Sequence, residues 1–265
     1  MIKKETDFYQ LELKDITQSY GDKIVIKDLD LIVDQKPGTD KVVGVVGPSG
    51  CGKSTVLRYF AGLQKPTSGG VFVKGQQVSD QTVVGMVFQQ YSSLPWYTVL
   101  QNVALGLELH GVPKKEREEK AMEMIKLVGL EGHEQKHALY PVLSGGQLQR
   151  IAIARSLLAN PEILLMDEPF GALDVSTRLA MQELLRKVLS MPIDQTVLFV
   201  THDIPEAIYL SDEIVIMGAN PGRVVETIPV NLSYDRGPSI KRETKFQKLV
   251  YDIEDKMAKL NMKKG

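Results

Sequence analysis

The chain has 265 residues, 43% hydrophobic and 25% charged, enough for one large globular domain or a core with a subdomain. Its formal net charge of -1 gives no bulk attraction for nucleic acid, and no nucleic-acid partner is expected. The polar opening MIKKETDFYQLELKD does not read as a signal peptide and no apolar run nears the roughly 18 residues of a membrane span, so a soluble chain is expected; a single cysteine, Cys51, and four scattered histidines suit a reducing cytoplasm and exclude an internal disulfide.

In chain order, short β-rich runs come first, Leu11 to Thr17 and Ile24 to Val33. The run Val42-Val43-Gly44-Val45-Val46 then feeds into Gly47-Pro48-Ser49-Gly50-Cys51-Gly52-Lys53-Ser54-Thr55, which fits G-x-x-x-x-G-K-S/T between a strand and a helix. In that setting the backbone N–H groups of the loop and the helix N-terminus surround phosphate oxygens, and Lys53 neutralises the outer phosphates. Ser54 is the expected ligand of Mg²⁺. Cys51 reads as a small filler of the loop rather than a redox switch.

Between Pro95 and Asn160 the pattern is almost wholly helical, including the charged segment Pro113 to Gly129, and predicts a helical subdomain inserted into an α/β core. Within it, Ser144 is a good N-cap, Gln147 three residues later completes a capping box, and Gly145 and Gly146 leave backbone N–H groups open to close approach. This helix start is suited to an anion, although the chain already has a phosphate cradle far upstream.

The apolar run Ile163-Leu164-Leu165-Met166 ends in Asp167-Glu168, two carboxylates at the C-terminal edge of a strand. Beside a phosphate cradle, such acids serve a metal and an attacking water, which assigns Asp167 to Mg²⁺ and Glu168 to the water. A helical pattern spans Leu173 to Leu189. The next apolar run, Thr196-Val197-Leu198-Phe199-Val200, ends in Thr201-His202 at the edge where ligands collect in open α/β sheets, so His202 is expected to contact the terminal phosphate. After Ile214-Val215-Ile216-Met217, the tail from Arg236 holds nine Lys or Arg against four Asp or Glu. Its Phe246, Val250, Ile253, Met257 and Leu260 share one helical face. That face suits packing on the domain itself, a dimer contact, or an anionic membrane surface. Short apolar runs alternating with helices predict a parallel sheet covered on both faces.

From about Leu11 to about Arg223 these residues closely resemble the ATP-binding subunits of ABC transporters, whose signature stretch is matched by Leu143-Ser144-Gly145-Gly146-Gln147. The resemblance implies an α/β P-loop NTPase core with a β-rich N-terminal subdomain and an inserted helical subdomain at about 95–160, together forming one domain over residues 1–235, with residues 236–265 as a short basic tail. By the same resemblance Tyr20 stacks on adenine, Gln89 in Val87-Phe88-Gln89 senses Mg²⁺ and the water, and Ala172-Leu173-Asp174 is similar to the D-loop. Two subunits in this family meet head to tail, so Ser144, Gly145, Gly146 and Gln147 of one cover the phosphate held by the other. The position of Leu148 often carries a polar residue in relatives.

The implied function is the ATPase of an importer, working with transmembrane permease subunits at the cytoplasmic face of the membrane and indirectly with a solute-binding protein. The alternatives are a separate-subunit exporter ATPase or a soluble ATP-dependent dimerisation module. The runs Ser93-Leu94-Pro95-Trp96 and Asn220-Pro221-Gly222-Arg223-Val224-Val225-Glu226 look like the subgroup serving nitrate, sulfonate and taurine importers. Trp96, the only tryptophan, is either a plug for the subdomain core or an anchor for a permease helix, and the anchor is favoured.

Overall fold

Fully apolar runs such as Val42 to Val46 and Ile163 to Met166 form strands buried on both faces, and successive residues therefore point into two different cores. The computed structural model describes residues 9–34, 41–90, 92–189, 195–233 and 236–262. Its strands are β1 (Leu11–Tyr20), β2 (Lys23–Val33), β3 (Lys41–Val46), β4 (Ser68–Val73), β5 (Gln76–Gln77), β6 (Gly85–Val87), β7 (Ile163–Asp167), β8 (Thr196–Val200), β9 (Glu213–Gly218) and β10 (Arg223–Pro229). The helices are α1 (Lys53–Phe60), α2 (Val99–Leu109), α3 (Lys114–Leu127), α4 (Gly145–Leu158), α5 (Val175–Leu189), α6 (Ile204–Leu210) and α7 (Thr244–Met262).

Six strands form a central sheet in the order β10-β9-β3-β8-β7-β6, parallel except for β10. Four strands form an antiparallel sheet in the order β2-β1-β4-β5. Between the sheets, Val43, Val45, Leu165 and Val200 of the central strands pack with Val56, Leu57 and Phe60 of α1 and with Leu11, Leu13 and Leu29. The alternate residues Val42, Val46, Leu164, Met166, Val197 and Phe199 face a helical layer that includes Val103, Ile125, Ile151, Leu185 and Ile208. Among the described residues, no helix is long and apolar enough to cross a membrane.

Three differences from the sequence reading have local causes. Strands β4 and β6 carry glycine and are short, and β10 is exposed along most of its length, so none shows a clear apolar period. The segment from Pro95 to Asn160 contains α2, α3 and α4, but the stretch from Leu130 to Leu143 is irregular. Gly129, at φ +66, ends α3 by donating to the Lys126 carbonyl at 3.0 Å while Leu130 donates to Ile125 at 2.9 Å. Helix α5 begins at Val175 rather than Leu173 because the Asp174 carboxylate accepts the Thr177 amide at 3.0 Å.

The tail packs on its own domain. Phe246, Val250 and Ile253 of α7 are buried in the helical-layer core, with Met257 and Leu260 against it. Arg236 fastens the start of this tail: its guanidinium donates to the carbonyls of Ile208 at 2.9 Å and Ser211 at 2.6 Å at the end of α6, and to Ser233 at 2.8 Å. Lys263 and Lys264 lie outside the described residues. Because Phe246 is fully enclosed, Phe246→Ala is expected to lower unfolding free energy by about 3–5 kcal/mol, read by denaturant unfolding. A loss below about 1 kcal/mol would mean the helix is not part of the cooperative core.

Candidate active site

The register of the parallel strands creates the site. Val45 pairs with Val200, and Val200 pairs with Asp167, so the loop after β3, the Thr201-His202 pair after β8 and the Asp167-Glu168 pair leave the sheet at one edge. The loop at Gly47 to Gly52 turns into α1 through Gly52, its N-cap, at φ +101. That left-handed conformation suits glycine, and a Cβ there would lie 2.8 Å from Ile26 Cδ1. Helix α1 has no acid in its own first turn, so no side chain of that turn offsets the positive end of its dipole. Lys53 is nearly buried, its Nζ donating to the Gly47 carbonyl at 2.8 Å and the Pro48 carbonyl at 3.2 Å. Cys51 is buried beneath the loop, and its amide donates to the Pro48 carbonyl at 3.3 Å.

A pocket of about 330 Å³ is lined by Tyr20, Val25, Ile26, Ser49, Gly50, Gly52, Lys53, Ser54, Thr55 and Glu168. Tyr20 stands exposed at its rim and its hydroxyl accepts a hydrogen bond from Gln64 Nε2 at 2.9 Å. The pocket thus joins an aromatic face, a nest of backbone N–H groups and the hydroxyls of Ser49, Ser54 and Thr55.

Beside it, Ser54 Oγ donates to Asp167 Oδ1 at 2.9 Å. Burial pushes the Asp167 carboxyl above its ordinary range, the Ser54 bond pulls it down, and the neighbouring Glu168 charge pushes it up. A hydroxyl and a carboxylate form an oxygen donor pair that fits a hard divalent cation. Magnesium, which is commonly bound through one or two carboxylates and keeps water and phosphate ligands, is an ion of that kind.

Glu168 is held at φ +43, an uncommon backbone conformation for a residue with a side chain. Its Oε2 accepts from Gln89 Nε2 at 3.0 Å and lies 3.4 Å from His202 Nδ1. Gln89, Glu168 and His202 therefore converge, although 113 residues separate the first from the last. Strain of this kind collects at functional sites.

Ser144 caps α4 in a capping box: its hydroxyl accepts from the Gln147 amide at 3.3 Å, and its own amide donates to Gln147 Oε1 at 2.8 Å. The first turn of α4 carries no acid, and a Cβ on Gly146 would meet Leu173 Cδ2 at 3.5 Å. None of Ser144, Gly145, Gly146, Gln147 or Asp174 lines the pocket over Lys53, so this second helix start faces elsewhere in a single chain. Hydrogen bonds from Ser176 and Thr177 hold the Asp174 carboxyl well below the usual carboxylate range. Leu148 is buried, so the apolar residue belongs to the core rather than to the helix start.

Gln149 is a residue beside the candidate site that sequence reasoning missed. It is fully buried, and its Nε2 donates to the carbonyls of Phe88 at 3.2 Å and Pro169 at 3.0 Å, the neighbours of Gln89 and Glu168. The only signal was a polar residue between buried Leu148 and Ile151 on α4. Trp96 is 65% exposed, with its ring edge-on to Tyr97, so it is not a core plug. The loop beneath it is fastened by Asn102, whose side chain exchanges hydrogen bonds with Leu94 at 2.8 and 3.0 Å.

A family model described as ABC transporter matches residues 32–171. Over 211 residues the chain is 49% identical to an uncharacterized ABC transporter ATP-binding protein of Methanocaldococcus jannaschii, covering 79% of this chain and 78% of that one. It is 42% identical over 242 residues to the taurine import ATP-binding protein TauB of Escherichia coli, covering 89% and 92%. A bacterial ABC transporter cassette solved as a dimer superposes with a TM-score of 0.70 at 34% identity, covering 84% of this chain and 100% of that one. A dimeric cassette in a post-hydrolysis state with ADP and Pi gives a TM-score of 0.69 at 34% identity, with the same coverage.

The turn at Gly52 supports a local prediction. Gly52→Ala forces a left-handed residue with a side chain and is expected to cost about 1–2 kcal/mol, lowering the melting temperature and weakening phosphate-ligand affinity. Unchanged melting and affinity would show that the loop does not depend on this geometry.

Proposed function

Because the chain belongs to the ABC transporter family of ATP-binding subunits, we propose that it powers an importer, driving uptake of a small solute through a separate permease. The chain binds ATP and is an ATPase coupled to transport. The observation that carries the catalytic reading is the convergence of Gln89, Glu168 and His202 on one carboxylate oxygen beside the Lys53 loop.

In this reading the adenine lies against Tyr20, and the amides from Gly47 to Thr55, with Lys53, hold the phosphates. Ser54 and Asp167 hold magnesium, which when bound offsets phosphate charge. Glu168 would take a proton from the attacking water, Gln89 would orient the carboxylate and sense the bound ion, and His202 would contact the terminal phosphate. Two copies meet head to tail, so that the acid-free start of α4, with Ser144, Gly145, Gly146 and Gln147, closes the pocket of the other copy, and Asp174 lies along the shared interface. The exposed start of α4, away from its own chain's pocket, and the dimeric cassettes to which the chain is similar support this arrangement.

The exposed Trp96 on a fastened loop supports docking of a permease helix beside Gln89, which carries the nucleotide state to the membrane and keeps the subunit at its cytoplasmic face. Residues 1–235 then act as the ATPase domain, and residues 236–262 as a tail packed on it. The similarity to the taurine import protein TauB supports taurine as the solute, and the wider class we propose is a sulfonate, nitrate or comparable small solute delivered by a binding protein.

Glu168→Gln tests the reading. ATP binding is expected to persist while phosphate release falls by about 10²–10⁴-fold, and gel filtration with ATP is expected to show a dimer. Wild-type turnover would remove Glu168 from the base role.

A further inference from the structure

The ring of His202 is largely exposed, with Nδ1 3.4 Å from Glu168 Oε2, so the position of the imidazole depends on the backbone on either side of it. That backbone is fastened from below. Thr201 Oγ1 accepts the Asp203 amide at 3.0 Å, bridging the two residues that flank His202. Asp203 in turn caps the Glu206 amide through Oδ1 at 2.9 Å, and the Thr201 hydroxyl favours the charged form of the Glu206 carboxylate.

Glu206 is almost fully buried, and a buried carboxylate needs donors and a nearby cation. It obtains them through a relay. Gln182 Nε2, on α5, donates to Glu206 Oε2 at 2.9 Å, and Lys241 Nζ donates to Gln182 Oε1 at 2.9 Å. A lysine only donates and a carboxylate only accepts, so a single orientation of the Gln182 amide satisfies both. Lys241 lies in the turn Pro238–Arg242, between the Arg236 anchor and α7, with its ammonium 4.4 Å from the Tyr209 ring centre. Burial lowers the pKa of the Lys241 ammonium, the charges of Asp203, Glu206 and Glu183 oppose that shift in part, and Arg178 adds positive charge near Glu206. The catalytic edge is thus tied through buried side chains to a segment beyond the motifs of the ATPase.

We propose that Lys241 is a positioning residue for His202, acting through Gln182, Glu206 and Thr201, so that the C-terminal segment sets the competence of the ATPase site. The inference rests on the reading of His202 as a phosphate contact. Such a residue acts on turnover, because the loop must be correctly placed when the phosphate is transferred, and it has little effect on binding of the nucleotide at the Lys53 loop.

The test measures steady-state phosphate release by the full chain with ATP and magnesium, together with thermal melting. Lys241→Met is expected to lower kcat roughly 5- to 10-fold while KM for ATP changes less than about twofold, and Lys241→Arg is expected to restore most of the turnover. In a His202→Ala background, Lys241→Met is expected to have no further effect on kcat. Should Lys241→Met fail to fold, Lys241→Gln, which keeps a neutral donor, carries the same comparison. Unchanged kcat in the Lys241 variant overturns the inference, as does a loss that persists in the His202→Ala background, which would mark a merely structural role. If His202→Ala alone keeps full turnover, the reading of His202 falls first and the inference falls with it.

Discussion

The site depends on strand register. Backbone hydrogen bonds set Val45 against Val200 and Val200 against Asp167. A slip of one residue would turn Val43, Val45, Leu165 and Val200 toward the wrong core, so hydrophobic burial on both faces locks the register that aligns the phosphate loop, the acid pair and the histidine. The chemistry is carried by a few polar groups at the strand ends, while its precision comes from apolar residues that never touch the ligand.

Two helix starts share one electrostatic design. Both α1 and α4 begin without an acid in the first turn, and each offers about half a unit of positive charge from its peptide dipoles. In one chain only the α1 start opens into the pocket. The second start has a full capping box, so two of its amides are already satisfied by Ser144 and Gln147 and the helix end is held rigidly before any anion arrives. Gln149 then links this helix to the residues next to Gln89 and Glu168, so that displacement of α4 is felt at the Glu168 carboxylate.

Much of this was legible in the sequence because the decisive signals are local. The glycine loop, the capping box and carboxylates ending an apolar run are short patterns with a mechanism of their own. The amphipathic spacing of Phe246, Val250 and Ile253 likewise left open what the tail packs against, and the fold resolved it in favour of the domain itself. What the sequence did not reveal is non-local. Short or glycine-bearing strands such as Gly85–Val87 take their structure from a neighbour already in place, here β7. Gln149 and Lys241 look like ordinary polar residues until the fold buries one and brings the other against Gln182. The irregular stretch between Leu130 and Leu143 follows Gly129 and contains Gly132 and Pro141, local breakers that the almost wholly helical reading passed over.

The central claim is that one working site is built from two copies of the chain, and subunit mixing tests it most directly. Lys53→Ala disables the phosphate loop and Ser144→Arg blocks the α4 start, so each variant alone is expected to be inactive in ATP hydrolysis. A mixture forms some dimers in which one site carries both lesions and the other carries neither, and phosphate release by the mixture is expected to recover in part. A mixture as inactive as its components, with both variants folded and dimerising, would contradict the shared site and place the whole reaction within a single chain.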